Sequence, residues 1–169
     1  HKTEQEEFWK GNFGNDYIKR NYDDKLLASN VSFFSKILSH TCRVNSIIEF
    51  GANIGLNLIA IHKLLPRANF SAVEINGSAC KQLSKNSWIS VSNQSILEYK
   101  SKKKYDFVLT KGFLIHINPS ELQNVYKTLY NTSSKYICAI EYYNPSPVGI
   151  DYRGFSNKLF KRDFAGEML

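Results

Sequence analysis

The sequence is thin in the features that would give away its class at once. Its three cysteines, Cys42, Cys80 and Cys138, are scattered with no C-x-x-C pair among them. That excludes a disulfide framework or a zinc knuckle and fits small thiols in a reduced, cytoplasmic setting. No apolar run approaches the roughly 18 residues that a membrane span requires, and no signal-peptide h-region opens the chain. No set of His, Asp and Glu has metal-ligand spacing, so no metal is expected. A P-loop, a G-x-S-x-G elbow and a catalytic triad are missing too. Repeats and low-complexity stretches are lacking, and acid is in deficit: 15 Asp+Glu face 22 Lys+Arg, a formal net charge of +7. Such a balance suits nucleic acid, an acidic lipid surface or an anionic small molecule. The only tight basic run, Lys102-Lys103-Lys104, reads as a solvated loop and points away from nucleic acid.

What remains is ordinary globular material. At 169 residues and 43% hydrophobic content, the chain suits one domain with a real core. The first forty residues read as helical. Thr3 and Glu6 form a capping box, Gly11-Asn12-Phe13-Gly14 breaks the pattern, and a second apolar stripe from Leu26 to Leu38 has helical spacing. From about position 45, short apolar runs alternate with helical ones. Ser46–Phe50, Phe70–Ile75, Trp88–Val91, Tyr105–Thr110 and Lys135–Tyr142 are predicted strands. Ile54–Leu65, a short stretch through Leu83, and Asn118 to Tyr130 are predicted helices, the last opened by Asn118-Pro119 with Glu121 three positions after the cap. Strands separated by helices imply βαβ units, a parallel sheet and an α/β doubly wound fold. A final helix is predicted over Asn157–Leu169.

The first predicted strand runs directly into Glu49-Phe50-Gly51-Ala52-Asn53-Ile54-Gly55 and then into a helix. Ligands of doubly wound sheets bind beyond the carboxyl ends of the strands, where a glycine lets the backbone approach them closely. A dinucleotide fingerprint G-x-G-x-x-G is not met, since Asn53 and Leu56 stand where glycines are needed. The spacing is instead E-x-G-x-N-x-G, and a second acid, Glu74, closes the second strand. A carboxylate there can accept hydrogen bonds from both hydroxyls of a ribose.

This combination resembles the class I S-adenosylmethionine-dependent methyltransferases, whose first motif is an acid followed by G-x-G-x-G with Asn a known replacement for the middle glycine. The resemblance implies a Rossmann-like sheet and S-adenosyl-L-methionine as cofactor. It implies that Glu49, Gly51, Asn53, Gly55 and Asn57 at the first loop, Glu74 and Ile75 after the second strand, Ser95 and Ile96 after the third, and Thr110 and Lys111 after the fourth hold that cofactor. Ser95 departs from the Asp usual at its position. Two further stretches, Glu7 to Asn21 and Tyr152 to Glu167, resemble methylases associated with pseudaminic acid biosynthesis. That narrower likeness implies a small-molecule, sugar-type acceptor in surface glycan biosynthesis, an acidic sugar among the candidates.

Residues 1–40 are then expected to be a helical lid, with Trp9, Phe13, Tyr17 and Arg20 over the cofactor, and residues 41–169 the methyltransferase domain. His116 is the leading candidate for a catalytic base and Tyr142 for a hydroxyl donor, with Arg153 and Lys111 as anchors for an acidic acceptor. Methyl transfer from a sulfonium is an in-line displacement, so positioning carries much of the catalysis and a base matters only for a hydroxyl or a protonated amine. Family sheets close with an antiparallel hairpin. None is predicted here, which leads to the expectation of a C-terminally truncated domain. An RNA methyltransferase and a non-catalytic cofactor-binding module are the alternatives.

Overall fold

The structure, a computed structural model, describes residues 3–18 and 24–169. Arg20 lies outside the described residues. Three helices lead: α1 (Glu4–Lys10), α2 (Asn12–Ile18) and α3 (Asp24–Leu38). The Thr3–Glu6 capping box forms as expected. Gly11 alone breaks the chain between the first two helices, and Asn12-Phe13-Gly14, expected as part of the break, is helical.

The body follows the predicted alternation: β1 (Ser46–Phe50), α4 (Leu56–Leu64), β2 (Asn69–Glu74), α5 (Gly77–Leu83), β3 (Ile89–Asn93), β4 (Tyr105–Lys111), α6 (Leu122–Thr132) and β5 (Ser133–Ile140). The five strands form one sheet in the order β3-β2-β1-β4-β5, every neighbouring pair parallel. The fold is therefore α/β and doubly wound, with the strand order reversing at β1.

Alternation along the strands sorts the core into two layers. Ile48, Phe50, Val73 and Val108 face Leu122, Val125 and Leu129 of α6. Ile47, Phe70, Ala72, Phe107 and Leu109 face Phe34 of α3, Leu58 and Ile61 of α4, and Leu83 of α5. Among the described residues no helix is long and apolar enough to cross a membrane.

The C-terminal stretch overturns one expectation. Residues 157–169 are not one helix. They belong to an antiparallel hairpin, β6 (Val148–Tyr152) with β7 (Phe155–Lys161), followed by a short α7 (Phe164–Met168). The hairpin is closed by Arg153 (φ 52°) and Gly154 (φ 85°), the paired left-handed geometry of a two-residue type I′ turn. Alternating apolar residues on either side of Arg153-Gly154 were the signal for it. The hairpin does not extend the main sheet, which ends at β5. It folds back so that Leu159 and Phe164 join the α6-side core and β7 lies against the turn that follows β4. The register slips between Ile150 and Tyr152, and Asn157 takes φ 57°. This bulge re-aims two backbone carbonyls of β7 toward the carboxyl end of the sheet.

Candidate functional site

At that carboxyl end a cavity of about 230 Å³ opens between the strand ends and the N-terminal helices. Its floor is the loop after β1. Gly51, Asn53 and Gly55 have φ values of 70°, 49° and 85°, so three alternate residues sit in the left-handed region. After glycine, asparagine is the residue that most readily visits that region. The replacement of a glycine by Asn53 in the motif thus has a conformational reason. The Gly51 N–H donates to the Val73 carbonyl at 2.9 Å, which ties the loop to the end of β2. The Phe113 ring lies over Gly51 where a Cβ would have to go.

Glu74 ends β2 at the cavity wall. Its Oε1 accepts the Asn76 N–H and its Oε2 the Asn53 N–H, each at 2.8 Å. Burial pushes this carboxyl up, while the amides of Asn76, Asn53 and Ile75 pull it down. Both oxygens are therefore oriented by backbone, and each keeps a lone pair for another donor.

Deeper in, a polar chain crosses the floor. Lys111 Nζ donates to Asn30 Oδ1 (3.3 Å), Asn30 Nδ2 to Asn57 Oδ1 (3.1 Å), and Asn57 Nδ2 to Glu49 Oε1 (2.6 Å). Glu49 is fully buried. Burial lifts its carboxyl to about 8, against the pull of Asn57 and Lys111, so it holds a proton at neutral pH. Its Oε2 has no partner among the described residues.

The opposite end of the cavity is roofed by aromatic rings. Trp9 meets His116 (centroids 4.5 Å apart) and, edge-on, Phe13 (5.4 Å) and Tyr17 (5.3 Å). Tyr152 of β6 lies 5.0 Å from His116, and Phe155 of β7 lies 5.1 Å from Phe8. The hairpin and the first two helices thus share one aromatic cluster. The β7 bulge supplies the polar contacts within it. The Asn157 carbonyl accepts Gln5 Nε2 at 3.0 Å, and the Lys158 carbonyl lies 2.6 Å from His116 Nδ1. A carbonyl only accepts, so Nδ1 carries the proton and Nε2 of the neutral ring keeps its lone pair. Burial pulls His116 down to about 4. The ring is neutral at physiological pH, in the tautomer that a base on the cavity side requires.

A testable consequence follows from that depression. An ordinary histidine takes its proton near 6.5, whereas folded His116 takes it only near 4. Between those values the unfolded chain binds more protons, so His116 makes stability fall as pH drops through the window. His116→Gln keeps a donor for the Lys158 carbonyl and removes the titration. Urea unfolding at pH 7 and pH 5 should show a loss smaller by about 1–2 kcal/mol in the variant than in the wild type.

The turn that carries His116 is held from β5. Glu141 accepts the N–H of Phe113 (2.9 Å) and of Ile115 (3.5 Å), satisfying donors at the start of the 3₁₀ turn Leu114–His116. Burial raises this carboxyl to about 7 against those same bonds.

Of the residues singled out from sequence, Trp9, Tyr17, Gly51, Asn53, Asn57, Glu74, Ile75, Ser95, Ile96, Lys111 and His116 line the cavity. Glu49 lies beneath it, reached through Asn57, and Gly55 and Thr110 are not among the lining residues. Tyr142 is not brought to the cavity: it is 57% exposed, with Lys161 over its ring. Arg153 sits in the hairpin turn against Tyr152 and is not at the cavity. The Ser95 hydroxyl is buried and accepts the Leu97 N–H at 3.0 Å, so it serves its own loop. Sequence reasoning missed Asn30, Asn76 and Glu141. Asn76 carried a signal, because an asparagine followed by Gly-Ser-Ala after an acid-ended strand reads as a helix cap. Among the described residues no three His, Cys, Asp or Glu side chains converge as a metal site would need.

No family model matches the sequence, and no curated protein matches it. Solved structures do match in shape. The plantazolicin methyltransferase BpumL in complex with SAH superposes with a TM-score of 0.64 and 21% identity in one complex, over 82% of this chain and 57% of that one. DesVI of Streptomyces venezuelae gives 0.61 and 12%, over 84% of this chain and 64% of that one. The sugar N-methyltransferase KedS8 from Streptoalloteichus sp ATCC 53650 gives 0.64 and 12%, over 86% and 62%. At these identities the likeness is one of fold. The chain spans less than two thirds of the length of each of these three.

Proposed function

We propose that this chain is the cofactor-binding and catalytic core of an S-adenosyl-L-methionine-dependent methyltransferase acting on a small molecule. The observation that carries the reading is Glu74, whose two oxygens are oriented by the amides of Asn53 and Asn76 beside a loop with three left-handed residues. That is a receptor for a vicinal diol next to a backbone cradle, and it lies at the switch in strand order. The residues present fit the cofactor: Glu74 takes the ribose hydroxyls, and Gln94, Ile96 and Leu97 flank the base. Lys111, Asn30 and Asn57 face the amino-acid end, with Glu49 behind them holding Asn57. Structural neighbours solved with SAH support the same reading.

When bound, the cofactor supplies a methyl group already activated on a sulfonium. The protein has to hold the acceptor in line, exclude water and take up a proton. His116 Nε2 is the group for that proton, with Trp9 as a wall and Gln5 and Asn118, bonded to each other at 3.2 Å, as polar contacts. Amides and an indole face suit a hydroxylated or amine-bearing acceptor. The likeness to a sugar N-methyltransferase and the sequence resemblance to pseudaminic acid-associated methylases favour a sugar-type compound in surface glycan biosynthesis, handled in the cytoplasm.

Calorimetry with S-adenosylhomocysteine tests the reading, and binding on the order of micromolar, about −8 kcal/mol, is expected. A flat titration overturns it. Given binding, labelled cofactor incubated with nucleotide sugars and sialic-acid-like metabolites should yield one labelled product. Label transferred to RNA instead would discard the small-molecule acceptor.

A further inference from the structure

The first two helices are tied to the loop after β2 through a buried side chain that the reaction does not itself need, Asn76. Asn76 is 4% exposed and uses every polar function it has. Its N–H holds Glu74, and its Oδ1 caps α5 by accepting the N–H groups of Ser78 (2.9 Å) and Ala79 (3.0 Å). Its Nδ2 points the other way. It donates to the carbonyls of Trp9 (3.1 Å) and Lys10 (3.3 Å) and to Asn15 Oδ1 (3.0 Å). The two carbonyls belong to the last turn of α1, where intrahelical donors run out. Gly14 of α2 lies against the same point, and a Cβ there would collide with the Trp9 carbonyl and with Asn76 Nδ2.

We propose that Asn76 is a positioning residue that latches α1 and α2 over the cavity from the same loop that carries Glu74. The residues the latch holds are those that close the site: Trp9 touches His116, and Gly14 and Tyr17 line the cavity wall. On the other side the lid is gripped by the hairpin through Gln5 and the Lys158–Glu4 pair. Releasing Asn76 therefore frees the cofactor side of the lid and leaves the hairpin side attached. The inference rests on reading the cavity as a nucleoside site only for its affinity readout.

Asn76→Asp isolates the latch. A carboxylate still caps α5, and the backbone N–H still reaches Glu74, but an oxygen now faces two carbonyls and the Asn15 amide oxygen. Expected are S-adenosylhomocysteine binding weaker by about tenfold or more and hydrogen exchange in α1 and α2 faster by a similar factor. Amides of α5 and β2 should keep their wild-type protection, which a general loss of structure would not allow. Gly14→Ala, whose methyl wedges α2 off the Trp9 carbonyl and Asn76 Nδ2 while Asn76 itself stays unaltered, should reproduce both effects. Unchanged exchange in α1 and α2 in both variants overturns the latch. If the wild type binds no S-adenosylhomocysteine, the cofactor reading falls and the exchange experiment still decides the latch.

Discussion

Gly51→Ala is expected to destabilise the protein by about 2–5 kcal/mol and to abolish binding of S-adenosylhomocysteine. Two costs add. At φ 70° a Cβ crowds its own backbone, which costs roughly 1–2 kcal/mol. The new methyl also enters the Phe113 ring, its Cγ at 2.8 Å, and overpacking of that kind costs about 1–3 kcal/mol. The main chain that carries the ring is held by Glu141, which accepts the Phe113 N–H at 2.9 Å, so relief has to come from turning the ring itself. The two costs separate in a double-mutant cycle. Phe113→Ala in the Gly51→Ala background should recover the steric part and leave the backbone strain. Urea unfolding measures both, and a fully additive pair would show that the ring is not what the methyl meets.

Glu74→Gln is expected to weaken S-adenosylhomocysteine by about a hundredfold. A hydrogen bond to a charged acceptor contributes roughly 1.5–3 kcal/mol, and two hydroxyls are to be held. The substitution is nearly isosteric yet does more than remove charge. Whichever way the amide turns, its NH₂ faces one of the two backbone N–H groups that Glu74 now accepts, from Asn53 or Asn76. That leaves a buried donor without an acceptor at a site only 8% exposed, so a stability loss of about 1–3 kcal/mol should accompany the loss of affinity. Calorimetry at a temperature well below unfolding separates the two effects. Wild-type affinity in Glu74→Gln would remove Glu74 from the site altogether.

These two residues were legible before any fold was known, and the reason is local. The period-2 apolar runs are read from a few neighbouring residues, and so are the helix caps and the glycine–asparagine loop. The five strands of the sheet duly appear within a few residues of their expected bounds. The C-terminal hairpin should have been legible on the same grounds. The Arg153-Gly154 turn between alternating apolar residues is its signal, and it conflicts with the helix predicted over Asn157–Leu169.

What the sequence by itself determined is the α/β alternation, the left-handed loop after β1 and the acid after β2, because each depends on contacts between near neighbours in the chain. The tertiary structure decided the rest. Gln5 meets the Asn157 carbonyl from 152 positions away, Asn76 reaches Trp9 from 67, and His116 receives its tautomer from a carbonyl 42 residues on. No spacing rule carries such pairs, since a bulge or a folded-back hairpin decides where a backbone carbonyl points. The neutral state of His116, on which the proposed chemistry turns, is set chiefly by burial, and burial exists only in the folded chain.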